Sequence, residues 1–257
     1  MSTQPMDEPD DAAPADAAQP DAASAALLPF PLDWTRALVI MAHPDDPEYG
    51  VAAAVAQWTA AGKEVEYLLA TRGEAGIAGI PPEQSGPLRA DEQARACSHV
   101  GVSALDFLDF QDGRLVEGLE LRLVLAREIR SRKPDLIITL NHRDTWGPGA
   151  WNSADHRALG RSVLDAVGDA GNDWIFPELL EEGLQLHKVR WVAVASTRPS
   201  HVQSVNAASV EAAVASLAEH EQYLRALSDV PVLEQARNQI QSVTGASHQV
   251  RFELFGG

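Results

Sequence analysis

The sequence predicts an α/β protein with a mostly parallel sheet and helices on both faces, three layers in all. Three observations carry that prediction. From residue 36 onward, short apolar runs alternate with amphipathic or Ala-rich stretches, the pattern of strand–helix–strand units with parallel strands. Two of the runs, 37–41 (ALVIM) and 135–140 (DLIITL), are apolar almost throughout, as strands covered on both faces must be. Each ends in a polar loop, and Rossmann-like sheets bind ligands beyond the carboxyl ends of their strands.

Taken in order, the strand at 37–41 is followed by an Ala-rich helix over 49–62 and a strand over 64–71. After a Gly-rich loop, residues 88–100 read as a helix that Gly101 stops. A short strand at 105–108 and a helix over 119–132 come next. Pro134 precedes the strand at 135–140, after which 156–167 reads as helix, 190–196 as strand and 207–227 as one long helix. No internal repeat or second linker interrupts this succession, so 27–257 is expected to be a single domain. Residues 1–26 are Ala, Asp, Pro, Ser and Gln almost throughout, with six acids and no Lys or Arg. Such a segment buries too little apolar surface to offset its ordering entropy, and a disordered acidic tail is expected there.

The 257 residues carry 20 Lys and Arg against 37 Asp and Glu, a net charge of −17. A surface this acidic repels phosphate backbones and anionic headgroups, which argues against nucleic acid and membrane surfaces as partners. No run approaches the roughly 20 apolar residues that cross a bilayer, so no stable membrane insertion is expected. The start of the chain lacks the basic and apolar stretches of a secretory signal, which makes the cytoplasm the expected compartment. A homo-oligomer is compatible with the sequence. Cys97 is the one cysteine, so disulfides and multi-thiolate zinc sites are excluded. It is expected to be a small buried apolar residue. Any metal must be held by His and carboxylate.

The loop after the first strand reads His43-Pro44-Asp45-Asp46-Pro47-Glu48. Carboxylates packed so closely repel one another unless solvated or bound by a cation; the plainer reading is a solvated acidic turn. The loop after 135–140 brings His142 and Asp144, then Ser153, Asp155 and His156, to the same predicted edge. Of the eight histidines, His43, His142 and His156 fall there. Asp155 beside His156 is a common arrangement for orienting a ligand imidazole from outside the metal's own shell, whereas His142 reads equally well as a hydrogen-bonded loop residue. Two His and one carboxylate make a zinc site with a position left open for water, which is the catalytic pattern. Metal binding lowers the pKa of such a water from about 15.7 to roughly 7, and a neighbouring carboxylate that is not a ligand then takes its proton. Amide or ester hydrolysis is the reaction class this suggests.

His43-Pro44-Asp45-Asp46 with Gly50, then Thr71-Arg72-Gly73-Glu74-Ala75-Gly76, then Asp155-His156 resembles the LmbE-like family. That family includes the N-acetylglucosaminyl-phosphatidylinositol de-N-acetylases, called PIG-L, and the deacetylases of mycothiol and bacillithiol metabolism. Arg89, Glu92, the stretch 107–113 (FLDFQDG) and the Glu219-His220 segment also look like the family, and the likeness runs from about 36 to about 227. The resemblance implies an LmbE-like fold and zinc, with ferrous iron as the alternative, held by His43, Asp46 and His156. It implies that Asp45 is the general base and that Arg72, Glu74 and Asp112 shape a sugar pocket. Two positions depart from the family. Ser153 stands where many members have a His that assists at the oxyanion or leaving group, and His142 is the candidate substitute. Pro47 stands where a Glu usually follows the two Asp, with Glu48 one place later.

The expected activity is removal of an N-acyl group, N-acetyl above all, from a small-molecule amino sugar or related conjugate. The alternative is a metal- or sugar-binding protein of the same fold without turnover, prompted by Ser153. The spare carboxylate of Asp45 speaks against it. A dinucleotide site is weaker still, because HPDDPEYG and not G-x-G-x-x-G follows the first strand.

Overall fold

The computed structural model describes residues 26–256, so all of the expected acidic tail but Ala26 lies outside the described residues. The first half of the chain runs β1 (Leu28–Pro29), β2 (Arg36–Met41), α1 (Asp46–Gly50), α2 (Ala52–Ala60), β3 (Glu64–Leu69), α3 (Pro82–Val100), β4 (Ala104–Phe107), α4 (Leu119–Arg132) and β5 (Leu136–Leu140). A small hairpin, β6 (Thr145–Gly147) and β7 (Ala150–Trp151), leads into α5 (Ala154–Ala170) and α6 (Glu178–Glu181). Then come β8 (Trp191–Ala195), β9 (His201–Ser204), α7 (Ala207–Ala218), α8 (Glu221–Leu227), α9 (Val232–Thr244) and β10 (Gln249–Gly256).

Eight strands form one sheet in the order β1-β9-β10-β8-β5-β2-β3-β4. The pairings β8-β5-β2-β3-β4 are all parallel, as the alternation of elements predicts. All five residues of β5 and the last five of β2 are buried, because helices cover both faces of the sheet. One group consists of α4 and α5; the other consists of α2, α3, α7 and α9. Among the described residues no helix is long and apolar enough to cross a membrane.

The structure departs from the sequence reading in four places. The helix expected over 49–62 is broken at Val51, whose φ of −134° is not helical, so α1 and α2 are separate helices. The long helix expected over 207–227 is likewise two helices, split at His220. There Glu92 accepts a hydrogen bond from the Gln222 amide at 2.7 Å, satisfying an N-terminal amide of α8 that continuous helix would pair internally. Helix α3 starts at Pro82 and runs through Pro87, a residue that in sequence reads as a stop. Finally, β10 lies antiparallel between β8 and β9 and, with α9, builds a wall from the chain after Leu227. Its Phe252 packs with Phe30 at 5.0 Å and Trp58 at 5.8 Å between ring centroids.

Candidate metal centre and its cavity

The loop that follows β2 folds back on the strand end. Asp46 Oδ2 accepts hydrogen bonds from the amides of Ala42 and His43, at 3.1 and 2.8 Å, which leaves Oδ1 turned outward. Oδ1 lies 3.0 Å from His156 Nε2, and Oδ2 lies 3.4 Å from His43 Nδ1. One donor atom from each of His43, Asp46 and His156 falls within 4.8 Å of the others. The remaining ring nitrogens are held from outside. Asn152, not the adjacent Asp155 expected from the sequence, holds His156, with Oδ1 3.1 Å from Nδ1. Asp155 instead reaches His43, whose Nε2 is 3.1 Å from both Asp155 Oδ2 and Asp112 Oδ1. With an N–H donated there, the other nitrogen of each imidazole would be free to offer its lone pair to an ion seated beside Asp46, the way outer carboxylates and amides orient ligand histidines.

The electrostatics of the cluster favour positive charge at its centre. Burial opposes an imidazolium at His43, yet hydrogen bonds to Asp112, Asp155 and Asp46 hold its pKa well above the usual histidine value. Burial would raise the Asp46 carboxyl, but the charge and hydrogen bond of His156, then His43, keep it well below the usual range. A divalent cation fits this donor set. His43, Asp112 and Asp155 also lie close enough to share an ion, but both Asp155 oxygens already accept backbone amides, from Gly113 at 2.7 Å and Leu115 at 3.1 Å.

Asp45 faces the same space and is buried. Its φ of 87° puts it in the left-handed region, which Asp tolerates better than most residues. That conformation turns it away from its neighbour Asp46. Its amide donates to Gln93 Oε1 at 2.9 Å, and Arg89 Nη2 donates to its Oδ1 at 3.2 Å. Burial pushes its carboxyl up to about 6, against the downward pull of Arg89. Arg89, itself buried, also donates to the carbonyls of Gly73 at 2.8 Å and Pro44 at 2.7 Å, tying the loop after β3 to the loop after β2. Gly73 has φ +61°, and a Cβ there would lie 2.1 Å from Arg89 Nη1; glycine is required. Gln93 passes the linkage inward, donating to Glu48 Oε1 at 3.1 Å, while Glu48 lies 3.4 Å from His220 Nε2 in the interior.

Other expected site residues are placed more variously. Asp112 and Ser153 line the cavity over the cluster. Ser153 is the N-cap of α5, its Oγ accepting the His156 amide at 3.1 Å. Glu74 accepts the Asp112 amide at 2.8 Å and so braces that loop, while Arg72 pairs with Asp109 at 3.1 Å over the Phe107 ring; neither lines the cavity. His142 does not line it either. Its Nδ1 is buried without a hydrogen-bond partner, burial lowers its pKa, and its Cα packs against the glycine face of α5 at Gly160. Sequence reasoning missed Gln93, Asn152 and the distal cavity wall. Polar residues at 89 and 93, four apart on one helix face, were the available signal for the first.

The cavity measures about 790 Å³. Beyond the charged cluster it is walled by Met41, Leu140 and Ala195 at strand ends, and by side chains of α8 and α9. Trp146, from the β6–β7 hairpin, stands at its edge with its ring edge-on to His156 at 6.3 Å.

A parallel sheet that gathers two imidazoles and one carboxylate at its strand ends, with a separate buried carboxylate beside them, defines an α/β protein with a candidate hydrolytic metal centre. The chain belongs to the PIG-L family: the model of GlcNAc-PI de-N-acetylase matches residues 38–167, a span that contains His43, Asp45, Asp46 and His156. Among relatives, the chain is 30% identical over 162 residues to a diacetylchitobiose deacetylase of Thermococcus kodakarensis, covering 62% of this chain and 59% of that one. It is 27% identical over 183 residues to a 1D-myo-inositol 2-acetamido-2-deoxy-alpha-D-glucopyranoside deacetylase of Streptomyces scabiei, covering 61% of this chain and 55% of that one. The chain thus spans a little under three fifths of the length of these relatives. Among solved structures, N,N'-diacetylchitobiose deacetylase from Pyrococcus horikoshii superposes with a TM-score of 0.76 at 20% identity, over 87% of this chain and 85% of that one. A 4-carboxy-2-hydroxymuconate hydratase from Pseudomonas putida gives a TM-score of 0.60 at 18% identity, over 86% of this chain and 95% of that one. One fold therefore carries different chemistries, and the activity has to be argued from the site.

Proposed function

We propose that the protein is a metal-dependent hydrolase that removes an N-acyl group, acetyl included, from an amino sugar or related small conjugate. The observation that carries this reading is the convergence of His43, Asp46 and His156 with Asp45 beside them as a carboxylate outside the donor set. His43, Asp46 and His156 would hold zinc, with ferrous iron as the alternative. Such an ion would polarise an amide carbonyl and acidify a bound water. Asp45 takes the proton of the attacking water, and its raised pKa, about 6, suits it to return that proton to the departing nitrogen. Arg89 and Gln93 fix Asp45 in the one orientation that faces the cavity. Asp112, at the polar side of the cavity, is placed to accept hydrogen bonds from sugar hydroxyls. The names of the relatives support an N-acetyl amino sugar as the first substrate to try. Ser153, as the cap of α5, has a structural role that accounts for it without loss of turnover.

The test is hydrolysis of N-acetylglucosamine and N,N'-diacetylchitobiose by the zinc-loaded chain, followed by release of free amine. Turnover by the wild type that Asp45→Asn loses while keeping its metal is the expected result. Equal turnover by both contradicts the role of Asp45.

A further inference from the structure

The polar cluster fills one side of the cavity and leaves the other without an occupant in the reading above. On one side of β2, the loops after β3 and β4 bring Gly76 and Asp112 to the rim. On the other side, β5 and β8 end in Leu140 and Ala195, and Leu227 of α8 with Val243 of α9 close the space above them. Ser196, Gln239 and Arg251 border that space as polar groups, while the Tyr223 ring centre lies 4.2 Å from the Arg89 guanidinium and belongs with the polar cluster. Gly50 and Ala195 face each other there, a Cβ on Gly50 falling at ordinary contact distance, 3.5 Å, from that of Ala195. A cleaved amide lies between the two sides. Its nitrogen substituent, the sugar, takes the side with Asp112. Its acyl carbon then points at the apolar side of a cavity that measures about 790 Å³ for the sugar and the acyl group together.

We propose that this apolar side is an acyl-chain subsite, and that the amide cleaved carries an acyl group several carbons longer than acetyl. The inference rests on the hydrolase reading and names the substrate class of the same site. The reaction balances with water alone. Its oxygen bonds to the acyl carbon, the C–N bond breaks, the proton held by Asp45 goes to nitrogen, and the products are a longer-chain carboxylate and an ammonium group that takes up the water's second proton.

The experiment compares kcat/KM of the zinc-loaded full chain on N-acetyl-, N-butanoyl- and N-hexanoylglucosamine. Each methylene moved from water to an apolar wall contributes about 0.8 kcal/mol, or about fourfold, so the four extra methylenes of the hexanoyl substrate raise it over the acetyl one by roughly two hundredfold. Leu227, 54% exposed, can be changed without disturbing the core, and Leu227→Asp lowers the hexanoyl-to-acetyl ratio at least tenfold. Ala195→Leu, which fills the subsite from the strand end, lowers the same ratio. Normal acetyl turnover with a ratio of one or less overturns the subsite and leaves the hydrolase reading standing. A high ratio that neither variant moves places the chain elsewhere and also overturns it. No turnover on any of the three substrates sinks the hydrolase reading and this inference together.

Discussion

On the β3–β4 side of β2, the strand ends carry loops dense in charge, tied together by Arg89 and by backbone amides donated to Asp46 and Asp155. On the β5–β8–β10 side, the segment after β5 still supplies His156, but beyond it the strands end in Leu140 and Ala195 and the wall is mostly apolar, with Leu227 and Val243 beside Gln239 and Arg251. In the first region nearly every polar atom has a partner that fixes its direction, as a site that must hold ions in register requires. The second is held by packing and shape. The contrast teaches that, under the proposed function, metal chemistry and sugar recognition share the charged region, while the apolar region shapes what else of a substrate fits.

The largest effect that separates the two regions is expected from His156→Ala, which removes one of two imidazole donors. Metal content measured by plasma mass spectrometry falls from one equivalent to near none, and turnover falls to background; full retention of metal would break the distinction drawn here. Asp45→Asn comes next. It keeps the hydrogen-bonding shape toward Arg89 but not the base, so kcat drops about 10²–10⁴-fold while metal content stays at one equivalent. Phe252→Ala probes the other region. Deleting a fully buried ring costs about 3–5 kcal/mol of stability by denaturant unfolding, and the folded fraction still binds its ion. The smallest effect concerns Cys97, whose thiol burial pushes up to about 12. Since it stays protonated at pH 8, a thiol reagent labels it only after unfolding, and rapid labelling of native protein would show the α3 side of the core to be open.

The same contrast explains what the sequence disclosed. β2 and β5 are legible because burial on both faces forces continuous apolar runs, and the ligand loops are legible because strand ends are where an α/β sheet binds. The motif also marks Asp46 as ligand and Asp45 as base, although the left-handed turn at Asp45 that separates the two carboxylates is not written in residue types. The breaks at Val51 and His220 are invisible, since Ala-rich and apolar helical patterns continue straight through both. They are imposed from outside, at His220 by Glu92, which lies 130 residues away from its partner Gln222. β10 alternates buried Val250 and Phe252 with exposed Arg251, a pattern readable as strand, but its antiparallel insertion between β8 and β9 is a property of the whole sheet. Arg72 looks like a pocket residue by motif, and is drawn off by Asp109 and the Phe107 ring.

The claim beneath all of this is met most directly by anomalous diffraction from crystals grown with zinc. The account predicts one peak, about 2.0–2.2 Å from a nitrogen of His43, an oxygen of Asp46 and Nε2 of His156, with Asp45 outside the coordination sphere. A peak on Asp112 and Asp155 instead, or no peak at the end of β2, would contradict it.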